Sequence, residues 1–248
     1  MLVKQGEERS NGVDCRLAFL LAFVAGAVNA AAFYAAGFFS ANMTGNASLL
    51  STRLMQGHFL VVVFLGTVIL AFIGGSVCST TLINIGKRRK VRAIYAYSIL
   101  TEAGLLVAIT LIDGVLNGVD QSSSLILCLS FLMGLQNAVV TRISNARVRT
   151  THVSGMITDV GIEIAMLLDY ARGGQNPLER VVYRNNLSLH IITIVAFLTG
   201  GAFGTLAEGW VGHFMLLGAS VLLFMAAING IFGAHKYERS REVFQRIL

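Results

Sequence analysis

The chain has 248 residues, of which 55% are hydrophobic and only 13% charged, with a single proline and a mean hydropathy of +0.70. Such a composition excludes a soluble globular domain and a disordered chain, and belongs to a helical membrane protein. The net charge of +6 does not build a nucleic-acid surface, because the cations fall in short segments between apolar stretches rather than on one basic face.

Six stretches carry few or no charges and are long enough to cross a hydrocarbon core as helix: 17–40, 59–84, 93–112, 123–141, 187–207 and 211–234. With residues 1–16 placed in the cytoplasm, six crossings put 18 of the 19 Lys and Arg residues on the inner side and leave Arg53 outside. The positive-inside rule therefore predicts that both termini are cytoplasmic. The first stretch, with the small residues of NAAAFYAA, resembles a signal peptide but is read as a span, because it has a partner later in the chain. The basic run GKRRKVR (86–92) is read as an orienting loop that meets lipid headgroups. Cys15, Cys78 and Cys128 form neither a disulfide framework nor a metal-ligand spacing.

Between the first two stretches, FFSANMTGNASLL turns polar from Asn42 to Asn46. The interruption recurs. AFVAGAVNA (22–30) matches SFLMGLQNA (130–138), NMTG (42–45) matches HVSG (152–155), and AFIGGSV (71–77) matches AFLTGGAF (196–203), all in the same order. The expected architecture is an all-α polytopic membrane protein of two three-span repeats, 17–113 and 123–234, joined by a linker at 114–122 and followed by a tail at 235–248. An odd number of spans turns the second repeat upside down, the inverted arrangement of many transporters. The segments after each polar motif, about 41–55 and 151–169, are read as re-entrant or half-helical pieces, with the longer second one also open to crossing the bilayer.

Within this frame the polar residues are the functional candidates. Asn29 and Asn137 hold matching places and either bond between helices or contact a solute. Thr44-Gly45 and Ser154-Gly155 are expected to start half-helices, the hydroxyl capping the first turn and the exposed N–H groups suiting an anion. Asn42, Asn46, Gln136 and Thr158 complete the expected binding set. Asp159 and Glu163 share a helical face and are candidates to bind a proton or cation, or else to pair with Arg142, Arg147 or Arg149. Glu102, the one charge in its span, either faces a cavity or pairs with His58, His190 or His213. Gly74-Gly75 and Gly200-Gly201 read as close-packing or bending points.

The motifs TGN (44–46), GLQNA (134–138) and THVSGMITD (151–159) resemble the YoaK-like family of bacterial inner-membrane proteins, a domain of unknown function, over nearly the whole chain. The resemblance implies a six-span bacterial cytoplasmic-membrane protein and carries no reaction. The residues themselves lead to a secondary transporter of a small polar or anionic solute, coupled to a proton or cation, working by alternating access in the lipid bilayer. A channel of the same architecture stays open, as do a membrane-embedded serine hydrolase with Ser154 as nucleophile and a structural partner without transport. No enzyme activity, cofactor, metal or nucleic-acid partner is expected, and architecture alone allows a homodimer.

Overall fold

The computed structural model describes residues 1–2, 5–6, 9–115, 121–172 and 177–247, with side chains omitted at 113–115, 121–122 and 237–247. Lys4 and residues 116–120 of the expected linker lie outside the described residues. Among the described residues there are eight α-helices and no strand. They are α1 (Asn11–Ala36), α2 (Met43–Met55), α3 (Phe59–Arg88), α4 (Ile94–Val115), α5 (Gln121–Ser144), α6 (Val153–Ala171), α7 (Pro177–Val211) and α8 (Met215–Ile247).

Five apolar stretches are long enough to cross a membrane: Asn11–Ala36, Phe59–Arg88, Ile94–Ile112, Ser123–Ser144 and the 60-residue Pro177–Lys236. The last contains both α7 and α8, divided by a 3-10 turn at Gly212–Phe214. Glycine ends α1 and α7. Gly37 takes φ 74° after α1 and returns its N–H to the Phe33 carbonyl, and Gly212 takes φ 59° after α7, both in the left-handed region that a side chain disfavours.

α1 packs chiefly on α7, α3 on α5, and α4 on α8. The first two pairs use glycine to bring backbones together. A Cβ at Gly26 would stand 2.1 Å from the Phe197 carbonyl oxygen, and one at Gly200 would stand 2.0 Å from that of Phe23. In the other pair, a Cβ at Gly134 would stand 2.0 Å from the Phe72 carbonyl oxygen, and one at Gly75 would stand 1.9 Å from that of Phe131. The Gly74-Gly75 and Gly200-Gly201 steps are therefore packing points, and α3 and α7 run through them without a break. Polar bonds add direction to the apolar contacts: Ser76 Oγ donates to the Gly134 carbonyl at 3.0 Å, and Ser220 Oγ to that of Ala103 at 2.9 Å.

Outside this core, α3 leaves Phe59, Leu60, Val63, Leu70, Ile73 and Val77 exposed, an apolar flank of the kind that meets lipid. Buried charges gather at one end of α1. The Arg9 guanidinium donates to Asp14 at 2.5 Å, and Arg147, from the α5–α6 link, reaches the other carboxylate oxygen at 3.1 Å. The Arg9 and Asp14 side chains are fully enclosed, so each partner compensates a charge that would otherwise be costly to bury.

Candidate functional site

The two polar segments double back along the helices that precede them. Asn29 lies about two turns, roughly 10 Å, before the end of α1, and its side-chain oxygen accepts the Ala41 N–H at 2.8 Å. Asn137 stands about two turns before the end of α5 and accepts the Thr151 hydroxyl at 2.8 Å, while its own amide donates to the Met133 carbonyl. Each asparagine thus fixes the depth at which a short helix begins, α2 after the first and α6 after the second.

Both starting points open on one cavity of about 860 Å³. Of the residues expected to bind solute, Asn29, Asn42, Thr44, Gly45, Asn137 and Ser154 line it. Phe39, Phe72, Phe197 and Leu198 supply apolar wall, and Phe39 is stacked on Phe33 with ring centres 4.3 Å apart. Among the described residues no carboxylate lines this space, whereas Arg149 and His152 do.

The first turns differ from expectation. Asn42, not the Thr44 hydroxyl, caps α2 by accepting the Gly45 N–H at 3.0 Å, and His152 occupies the N-cap position of α6 without a side-chain capping bond. The hydroxyls fall too late, in the second helical position, where they point outward instead of back to the N–H groups. Glycine follows them for a steric reason: a Cβ at Gly45 would approach Asn42 Nδ2 to 2.6 Å, and one at Gly155 would approach the His152 ring to 2.4 Å. The Thr44 and Ser154 hydroxyls make no hydrogen bond with a described residue. The first N–H groups of a helix, together with its dipole, place partial positive charge where α2 and α6 begin.

The remaining candidates lie elsewhere. Asn46 is buried and donates to the Phe39 carbonyl at 2.9 Å, which ties the link before α2 to its first turn. Thr158 bonds back to the Ser154 carbonyl, and Gly155 does not line the cavity. Gln136 and Glu102 are fully buried between α5 and α4, bonded to each other at 2.9 Å; Glu102 neither faces the cavity nor pairs with a histidine. Asp159 and Glu163 both turn toward His190 of α7, at 4.0 and 3.1 Å, rather than toward the three arginines. A second, polar cavity of about 280 Å³ lies there, lined by Arg147, Arg149, Asp159, Asn186, His190 and Thr193 among others. His213 bonds to Glu208 at 2.6 Å. Neither of these imidazoles is hydrogen-bonded to Ser154. Among the described residues no three His, Cys, Asp or Glu side chains converge to hold a metal ion.

A family model described as "Protein of unknown function (DUF1275)" matches residues 17–229, which takes in every residue that lines the larger cavity. The chain belongs to the DUF1275 family. This membership is compatible with the YoaK-like resemblance read from the TGN and THVSG motifs. No curated protein and no solved structure matches the chain. For this DUF1275 protein the residues present establish a multi-pass helical protein of membrane type.

Arg149 is a site residue that sequence reasoning left out of the binding set, having been read as an inner-side cation and a possible partner of Asp159 and Glu163. Its place three residues before the N-cap His152 was a usable signal, because a segment that turns back into the protein carries its neighbours inward. Phe72 and Phe197 were hidden differently: each precedes by three positions a glycine of the packing motif, so they read as ordinary core.

Proposed function

We propose that this DUF1275 protein is a secondary transporter of a small anionic solute in the bacterial cytoplasmic membrane, with six crossings arranged as two inverted three-span repeats and both termini inside. The observation that carries the reading is the convergence on one cavity of two helix starts and the cation Arg149, which has no partner among the described residues, with no described carboxylate in the lining. Arginine remains charged at any physiological pH and binds carboxylates and other oxyanions with a planar fork of donors. Phe39, Phe72 and Phe197 supply apolar wall beside such a contact.

The repeat reading draws on matched contacts. Gly26 with Phe197 and Gly134 with Phe72 make the same packing in different helix pairs, as do Gly200 with Phe23 and Gly75 with Phe131. Asn29 and Asn137 hold the entry to a half-helix at the same distance from a helix end. Rocking one half against the other would open the shared cavity to each side in turn.

The test is thermal stability of the purified protein in detergent with sodium nitrate, sulfate or glutamate. A ligand present at 100 times its dissociation constant stabilises the folded state by about 2.7 kcal/mol. At least one anion should raise the midpoint saturably in wild type and fail to do so in Arg149→Gln. In proteoliposomes the flux of that anion should saturate; flux that stays linear in concentration would favour a channel. No stabilisation by any of the three salts would sink the anion reading.

A further inference from the structure

Arg149 reaches the larger cavity from the link between α5 and α6, residues 145–152, and the backbone of that link is held in a costly shape. Asn145 and Ala146 both take positive φ, 53° and 63°. Asparagine visits this left-handed region readily, but alanine does so at a cost, because its Cβ crowds the following carbonyl. Local bonds secure the turn: the Ala146 N–H donates to the Thr141 carbonyl at 2.8 Å, and the Val148 N–H to Ser144 Oγ at 3.0 Å. Beyond it the side chains alternate, Val148 and Thr150 being buried and Arg147 and Arg149 exposed. A further tie comes from α1. Arg147, two residues before Arg149, stands 3.1 Å from Asp14 in the first turn of α1, and this fully enclosed carboxylate also accepts from Arg9. Neither Asp14 nor Arg147 lines the larger cavity.

We propose that Asp14 is a positioning residue for the anion site: through Arg147 it holds the left-handed turn at Ala146, so that Arg149 is in place at the larger cavity before the anion arrives. This deepens the anion-transport reading and rests on it. A backbone conformation that alanine disfavours persists only where its surroundings over-determine it, and such strain serves preorganisation. Released from Asp14, Arg147 no longer draws the link toward α1, and the turn relaxes toward ordinary angles and takes Arg149 with it. The anion must then order the link as it binds, which lowers its affinity. The charge of Asp14 works the other way. A carboxylate repels an anion, so by Coulomb attraction alone the loss of Asp14 would tighten binding, whereas the loss of Arg147 would weaken it. Positioning makes both losses weaken it, and that difference in sign separates the two causes.

The experiment reads the dissociation constant of nitrate, sulfate or glutamate, added as sodium salts, from the concentration dependence of the thermal midpoint in detergent. Arg147→Gln and Asp14→Asn should each weaken binding by about tenfold. Arg147→Gln combined with Ala146→Gly should recover to within about threefold of wild type although no charge has been returned, because glycine takes the left-handed turn without outside help. A purely structural role would lower the midpoint of Arg147→Gln and leave its dissociation constant unchanged; that result would overturn this inference while the anion site stands. Weaker binding in Arg147→Gln with tighter binding in Asp14→Asn would overturn it in favour of charge alone, and so would a combined variant as weak as Arg147→Gln. Asp14→Asn leaves the enclosed Arg9 uncompensated, and if it does not fold the two Arg147 variants decide. No midpoint shift in wild type with any of the salts would remove the anion reading and this inference together.

Discussion

Whether a glycine of these helices tolerates a methyl group depends on what stands opposite it. At Gly134 an added Cβ would meet the Phe72 carbonyl oxygen at 2.0 Å, and backbone cannot swing aside as a flexible side chain can. At Gly66, on the same α3 that carries Phe72, nothing lies within 4 Å. Gly134→Ala should therefore force α3 from α5 and cost about 1–3 kcal/mol, the usual range for overpacking, whereas Gly66→Ala should be neutral or stabilise by up to about 1 kcal/mol through helix propensity. Thermal midpoints in detergent give the sign of each; a Gly134→Ala protein as stable as wild type would refute the close approach. Both glycines are visible in the sequence, and the GLQNA match singled out Gly134. The distinction between them was not visible, because it depends on a second helix far away in the chain. The same holds for Gln136 and Glu102, which look like cavity residues one at a time and turn out to be bonded to each other.

At the scale of an element, α2 and α6 begin at matching motifs, but only α2 is capped by a side chain. Asn42 accepts a first-turn N–H, and His152 in the corresponding place does not. Asn42→Ala should lower stability by about 1 kcal/mol, the usual value of an N-cap, which is about 2–4 °C in a chain of this size. His152→Ala loses no capping bond and should lower it less. Equal losses in the two variants would show that the α6 cap has been misassigned. Sequence reading found both short helices to within a few residues, since each begins at a polar motif between apolar runs: 41–55 against Met43–Met55, and 151–169 against Val153–Ala171. It placed the cap on the hydroxyl because Ser and Thr are common caps; which residue caps was decided by where Asn29 and Asn137 seize the incoming chain.

For the whole molecule, the distribution of charge makes a topological prediction that leaves the site aside. In a chain whose three native cysteines are replaced by serine, Met55→Cys should react with a membrane-impermeant maleimide in intact cells. Lys90→Cys should react only after permeabilisation. Both positions are exposed in the fold, so failure to react would not come from burial. Labelling of Lys90→Cys from outside would invert the proposed orientation and with it the side on which Arg149 and Asp159 meet water.

The sequence by itself determined that the chain is helical and of membrane type, because hydrophobic length and the scarcity of charge are local properties that need no partner. It also marked the two polar interruptions and half of the polar residues that line the larger cavity, Asn29, Asn42, Thr44, Asn137 and Ser154, since polar groups cannot lie unsatisfied in an apolar chain without a reason. Tertiary structure alone decided which of them share a space. The bonds that Ala41 and Thr151 donate to the two asparagines draw distant segments to one cavity, the packing of α6 on α7 turns Asp159 and Glu163 toward His190, and Arg149 comes to border both cavities. The physical reason is that a helix presents several faces, and its neighbours, which lie elsewhere in the chain, determine what each face meets.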